Sequence, residues 1–150
     1  MALRATRGGN HRGSVFRKHV GYALMGRNLN LICATWGKGT NAPEGVRDSE
    51  HHLEIIVTEV IGEMPFLWLG IGDNQGGHTC RDYLERHSIA LLSNYRKPAL
   101  DPPSPNWLGR YCRSDRVRDS GLWLSDYVDD AYGAAFLDQM ETLVREVGKS

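Results

Sequence analysis

The run Phe66-Leu67-Trp68-Leu69-Gly70-Ile71 constrains this chain more than any other segment. It is short, bounded by Pro65 and Gly72, and apolar at nearly every position, which is the pattern of a strand buried on both faces. A strand cannot satisfy its own backbone donors and acceptors, because sheet hydrogen bonds come from neighbouring strands. The apolar run at 31–34 could supply one edge, yet a doubly buried strand wants a neighbour on each side. Either another part of the chain is also extended, or the partner strands lie upstream of Met1.

The rest of the pattern is helical. Ser14 is a helix cap, and Phe16, Val20, Ala23 and Leu24 recur three or four apart, predicting an amphipathic helix to about residue 27. A second helix is predicted from about residue 48 or 49 to Gly62, with Leu53, Ile56, Val57 and Val60 on one face. A third runs from about 79 to 94, carrying Tyr83, Leu84, His87 and Leu91. A proline-rich loop follows at 98–109. After a short turn at 120–123, a last helix buries Phe136, Leu137, Met140, Leu143, Val144 and Val147. The expected fold class is therefore α+β and helix-rich, with one central short strand at about 66–71 packed by four or so helices.

With 150 residues, 41% hydrophobic and 24% charged, the chain supports a single core. The expected division is a basic flexible arm at 1–13 and one domain over 14–150. Uncharged runs such as 64–72 fall far below the ~20 residues of a membrane span. Three widely spaced cysteines do not suit a disulfide framework, so a reducing cytoplasm is the expected compartment.

The net charge of +0 hides an asymmetry, because residues 1–43 hold Arg4, Arg7, Arg12, Arg17, Lys18, Arg27 and Lys38 and no acid. A basic arm on a neutral protein points to a polyanion, while a solvated tail is the bland alternative.

The order helix, helix, strand, helix, extended loop resembles the GIY-YIG nuclease fold after its first two strands. TRGGNHRGSVFRKHVG at 6–21 resembles the basic region that follows the tyrosine hairpin of that family. LERHSIALLSN at 84–94, followed by KPALDPPSPNWLG, resembles its later glutamate helix and loop. The resemblance implies an incomplete GIY-YIG-like fold lacking the N-terminal hairpin. It also implies metal-dependent nucleic-acid phosphodiester hydrolysis, with Mg²⁺ as cofactor and DNA ahead of RNA as partner. Glu85 is then the metal ligand. Tyr22, in HVGY, sits on a predicted helix and does not replace the hairpin tyrosines.

Such hydrolysis needs a held phosphate, a cation for the developing charge and a base for water. Glu85, Arg17 and His19 are the catalytic candidates, and Arg4, Arg7, Arg12 and Lys18 the nucleic-acid contacts. Against each stands a plain reading: Glu85 pairs with Arg81 or Arg86 on a wet helix, and the basic residues face solvent. A chain without the hairpin could be inactive. A non-catalytic nucleic-acid-binding domain, or an interaction domain whose arm meets an acidic protein, are the alternatives. His78, Cys80, His87 and Cys112 lack zinc-site spacing. GDNQGG at 72–77 lacks the phosphate-loop lysine and reads as a connection.

Overall fold

The computed structural model of the protein describes residues 8–66 and 77–147. Ser14 starts helix α1 (Val15–Arg27): its backbone is extended and its Oγ accepts the Arg17 N–H at 3.3 Å. Val20, Ala23 and Leu24 are buried on one face of α1. Helix α2 (Glu44–Glu63) begins a turn earlier than hydrophobic periodicity predicts. Its first turn carries almost no apolar residue. It is set instead by Pro43, whose carbonyl accepts the N–H groups of Val46 and Arg47, and by Glu44 at the positive end of the helix dipole.

The main core lies between α1 and α2, where Val20, Leu24, Leu53 and Val57 meet Trp36 from the connecting loop. Each fully buried aliphatic side chain there contributes about 1.5–3 kcal/mol. The α1 surface is shaped for this packing by glycines. A methyl at Gly21 would overlap the Trp36 indole, and one at Gly26 would strike the backbone carbonyl of Tyr111. Tyr111 belongs to a 3-10 turn (Leu108–Tyr111) that packs across α1. Helix α4 (Asp115–Ser120) packs on that turn and adds Val117 and the nearby Cys112 to the core.

Helix α3 (Gly77–Leu92) packs against α5 (Ala135–Val147), where Phe136 meets the Tyr83 and His87 rings, and a separate cluster joins Ile89 of α3 to Tyr95 and Val128 outside the helices. Of the apolar residues expected to be buried on α5, Phe136 is enclosed, whereas Leu137 and Val144 are exposed. No described helix is long and apolar enough to cross a membrane.

The expected α+β class, with helices packed round a central strand, is corrected: the described residues contain no strand, and helices pack directly on helices. Phe66 is exposed and outside any regular element, and the remainder of the 66–71 run lies outside the described residues, as does 72–76 of the glycine-rich connection. The 31–34 run is no partner strand. Its side chains do alternate, with Leu31 and Cys33 packed and Ile32 exposed. However, the chain turns at once, the Trp36 N–H reaching Cys33 O at 3.2 Å and the Lys38 N–H reaching Thr35 O at 3.1 Å. Local turn bonds thus replace a ladder.

Candidate nucleic-acid interface

The segment before α1 is bound to α2 by charge. Asn10 caps a 3-10 turn (His11–Gly13), which places His11 and Arg12 against two glutamates of α2. Glu50 and Glu54 share the buried face of that helix with Leu53 and Val57. Arg12 grips Glu50 through both Nη atoms, Nη2 to Oε1 at 2.7 Å. This pairing holds the Glu50 carboxyl below its ordinary range, with Thr35 adding to the effect, and raises the Arg12 guanidinium.

Glu54 is saturated. Its Oε1 accepts from the His11 N–H at 2.6 Å and from His11 Nδ1 at 2.9 Å, and its Oε2 accepts from Arg17 Nη2 at 2.7 Å and Nε at 3.2 Å. Those four bonds fill a carboxylate's acceptor sites. Arg17 Nη2 also donates to the Glu54 carbonyl and to Thr58 Oγ1. His11 Nε2 accepts the Gly37 N–H at 3.0 Å, so the ring carries its proton on Nδ1. The ring stacks on Trp36 with centroids 3.8 Å apart. Trp36 in turn donates from Nε1 to Lys18 O at 3.0 Å.

The sequence-predicted residues therefore fall into separate places. Arg12 and Arg17 are committed to buried glutamates. His19 is buried on α1, its Nδ1 3.7 Å from Cys112 Sγ and its Nε2 without a partner among the described residues. Burial pushes the His19 imidazole down and the Cys112 thiol up. Glu85 is exposed on α3, and no hydrogen bond or ion pair among the described residues joins it to Arg17 or His19. Arg4 and Arg7 lie outside the described residues. Asn94 pins the proline-rich loop, its Nδ2 donating to Asp101 O at 3.0 Å. His87 accepts the Gly133 N–H and Cys80 meets Gln139, so neither is poised with a metal-binding neighbour.

Sequence reading missed Glu50, Glu54 and His11. A signal for the two acids was present, since positions 50, 53, 54 and 57 share one helix face.

Lys18 alone of the proposed contacts in α1 has no ion-pair partner among the described residues. It lines a depression of about 260 Å³ at the N-terminus of α1, with His11, Arg12, Gly13, Gly37 and Thr40 among the other walls. Among the described residues no acid lines it. The free N–H groups of a helix start and an adjacent ammonium suit an anion.

No group of three His, Cys, Asp or Glu side chains among the described residues is placed to hold a metal ion. A closed protein cage is thus not what these residues offer. A divalent ion would instead have to keep most of its waters and take its remaining ligands from an exposed carboxylate and from substrate phosphate.

A small helical domain with a buried ionic seam and an acid-free pocket over a helix start is the class defined by this geometry. The chain belongs to the GIY-YIG domain family, which matches residues 2–150. This is a family of nuclease-type domains that act on nucleic acid and generally depend on a divalent metal. No curated protein and no solved structure matches the chain at a significant level.

Proposed function

We propose that this chain is a GIY-YIG-type domain that binds the phosphate backbone of DNA and hydrolyses it with Mg²⁺ held by Glu85. The depression at the start of α1 carries this reading, because it joins a helix N-terminus and Lys18, which has no ion-pair partner among the described residues, in one place. Arg4 and Arg7, just upstream, would extend the contact along the backbone. Glu85 would supply one carboxylate, with phosphate oxygen and water completing the coordination. Arg17 and His19 act as catalytic groups in this reading only if substrate releases them from their present partners.

The commitment of Arg17 to Glu54, and of His19 to a buried contact with Cys112, favours a second reading in which the chain binds without cleaving. Plasmid nicking separates the two. Mg²⁺-dependent nicking lost in Glu85→Ala supports hydrolysis, and nicking unchanged in that variant removes Glu85 from the role. Salt-sensitive binding without nicking supports the second reading. In both, Lys18→Ala is expected to weaken DNA binding and lower the salt slope by about 1, the signature of one lost phosphate contact.

A further inference from the structure

A second cleft lies one helical turn from the phosphate depression. It has a volume of about 400 Å³ and opens between α1, the loop after it and the 3-10 turn at Tyr111. That volume is within the range of small-ligand sites. Its walls are apolar where they face solvent: Leu29 and Ile32 are more than 80% exposed, and Tyr111 is 50% exposed. Among the described residues its charges are positive, with Lys38 and Arg113 lining it and no acid doing so. The Arg113 guanidinium lies over the Tyr22 ring, 5.6 Å from its centroid.

We propose that this cleft receives an unpaired nucleobase, so that the protein prefers single-stranded or locally opened nucleic acid to a closed duplex. The proposal rests on the reading that the chain binds nucleic acid. Three observations select a base over other occupants. First, flat surfaces are available: a half-exposed tyrosine and a guanidinium plane are groups on which bases stack. Second, an apolar body carried next to negative charge is the chemistry that a wall of tyrosines, isoleucine and cations complements. An apolar protein segment would leave Lys38 and Arg113 without partners.

Third, the register fits a nucleotide. Val15 and Lys18 line the phosphate depression, and Tyr22, Met25 and Gly26 line the cleft. Those positions follow the three- and four-residue spacing of a single helix face. Lys18 and Tyr22 are separated by about 6 Å along the axis. Gly37 lines the depression and its neighbours Trp36 and Lys38 line the cleft, and a methyl added at Gly37 would strike the Tyr22 hydroxyl. A phosphate over Lys18 therefore directs its attached base toward the cleft.

The test measures binding of the full chain, by fluorescence anisotropy at fixed salt, to three ligands: a 15-nucleotide thymidine strand, the corresponding duplex, and a strand of the same length with abasic sites. The intact strand is expected to bind about tenfold tighter than the other two. Tyr111→Ala and Ile32→Ser, both at exposed side chains, are expected to cost the intact strand about tenfold and to leave duplex and abasic binding unchanged. Tyr111→Phe keeps the stacking face and is expected to bind as the parent does. Equal affinity for strand and duplex, unmoved by either substitution, overturns the cleft while leaving nucleic-acid binding intact. Failure to bind any of the three overturns both readings. A concentration-dependent dimer that Ile32→Ser disperses, with no change in strand binding, assigns the cleft to a second copy and overturns the proposal.

Discussion

Arg12 and Glu50 form a two-pronged ion pair whose side chains are only 4% and 2% exposed. Together with the Arg17–Glu54 pair, it withdraws two of the seven cations that precede Glu44 from any outside partner. The basic stretch is thus less basic in space than in sequence. Lys18, Arg27 and Lys38 remain, beside Arg4 and Arg7.

Removing one member of the buried pair leaves an uncompensated charge, so Arg12→Met and Glu50→Leu are each expected to destabilise by about 3–5 kcal/mol. Arg12→Met combined with Glu50→Leu should recover most of that loss, since two apolar groups can fill the space without desolvated charge. Urea denaturation of the four forms reads the coupling directly. Losses that simply add would show that the pair does not act as a unit. The Glu50 carboxyl is depressed in the folded state, so the stability it confers is complete above its unfolded pKa of about 4.3 and is lost as pH falls through the lower folded value.

The first helix was legible in the sequence because Ser14 and the spacing of Val20, Ala23 and Leu24 state the same boundary and face. Helices α2, α3 and α5 were legible as elements, with ends displaced by about a turn where solvent-facing residues carry no periodic signal, whereas α4, six residues long with Val117 as its one aliphatic residue, gave no periodicity to read and was missed. The sheet was not there to be read among the described residues. A short apolar run such as 31–34 satisfies the strand pattern, and only its turn bonds show that it is a packed loop. The ionic seam was hidden for a different reason. Glutamates ordinarily mark a wet helix face, and only the in-phase spacing of Glu50 and Glu54 with Leu53 and Val57 betrays burial. The cleft beside Tyr111 joins residues almost 90 positions apart, which periodicity cannot bring together.

His19 is expected to make stability pH-dependent around neutrality. Burial, with Lys18 acting in the same direction and Asp126 opposing, lowers its folded pKa below the ordinary value of about 6.5. The unfolded chain then takes up the proton first. Stability contributed by neutral His19 is complete above about pH 6.5 and falls with decreasing pH, by at most about 1.4 kcal/mol per unit. Urea midpoints at pH 7.5 and 5.5 should differ in the parent and differ less in His19→Gln. The neighbouring Cys112 is held as a thiol, and iodoacetamide should label Cys33 and Cys80 well before it. Equal native labelling of all three would contradict the enclosed geometry.

Two glycine-to-alanine changes in helices are expected to have opposite signs. Gly62, in the last turn of α2, has nothing among the described residues within reach of an added methyl, so Gly62→Ala should stabilise by up to about 1 kcal/mol through helix propensity alone. Gly21 lies on the buried face of α1, where the same methyl would enter the Trp36 indole. That ring cannot move freely: it is bonded to the Lys18 carbonyl and stacked on His11, whose imidazole is bonded to Glu54. Gly21→Ala should therefore destabilise by about 1–3 kcal/mol despite the gain in propensity. Shifting Trp36 also moves Gly37 and the loop that separates the phosphate depression from the base cleft. Gly21→Ala should consequently weaken binding of single-stranded DNA even where the protein remains folded. Thermal unfolding and anisotropy measured on the same sample check both effects. A variant that melts early but binds as the parent does would show that α1 packing and the surface sites are independent.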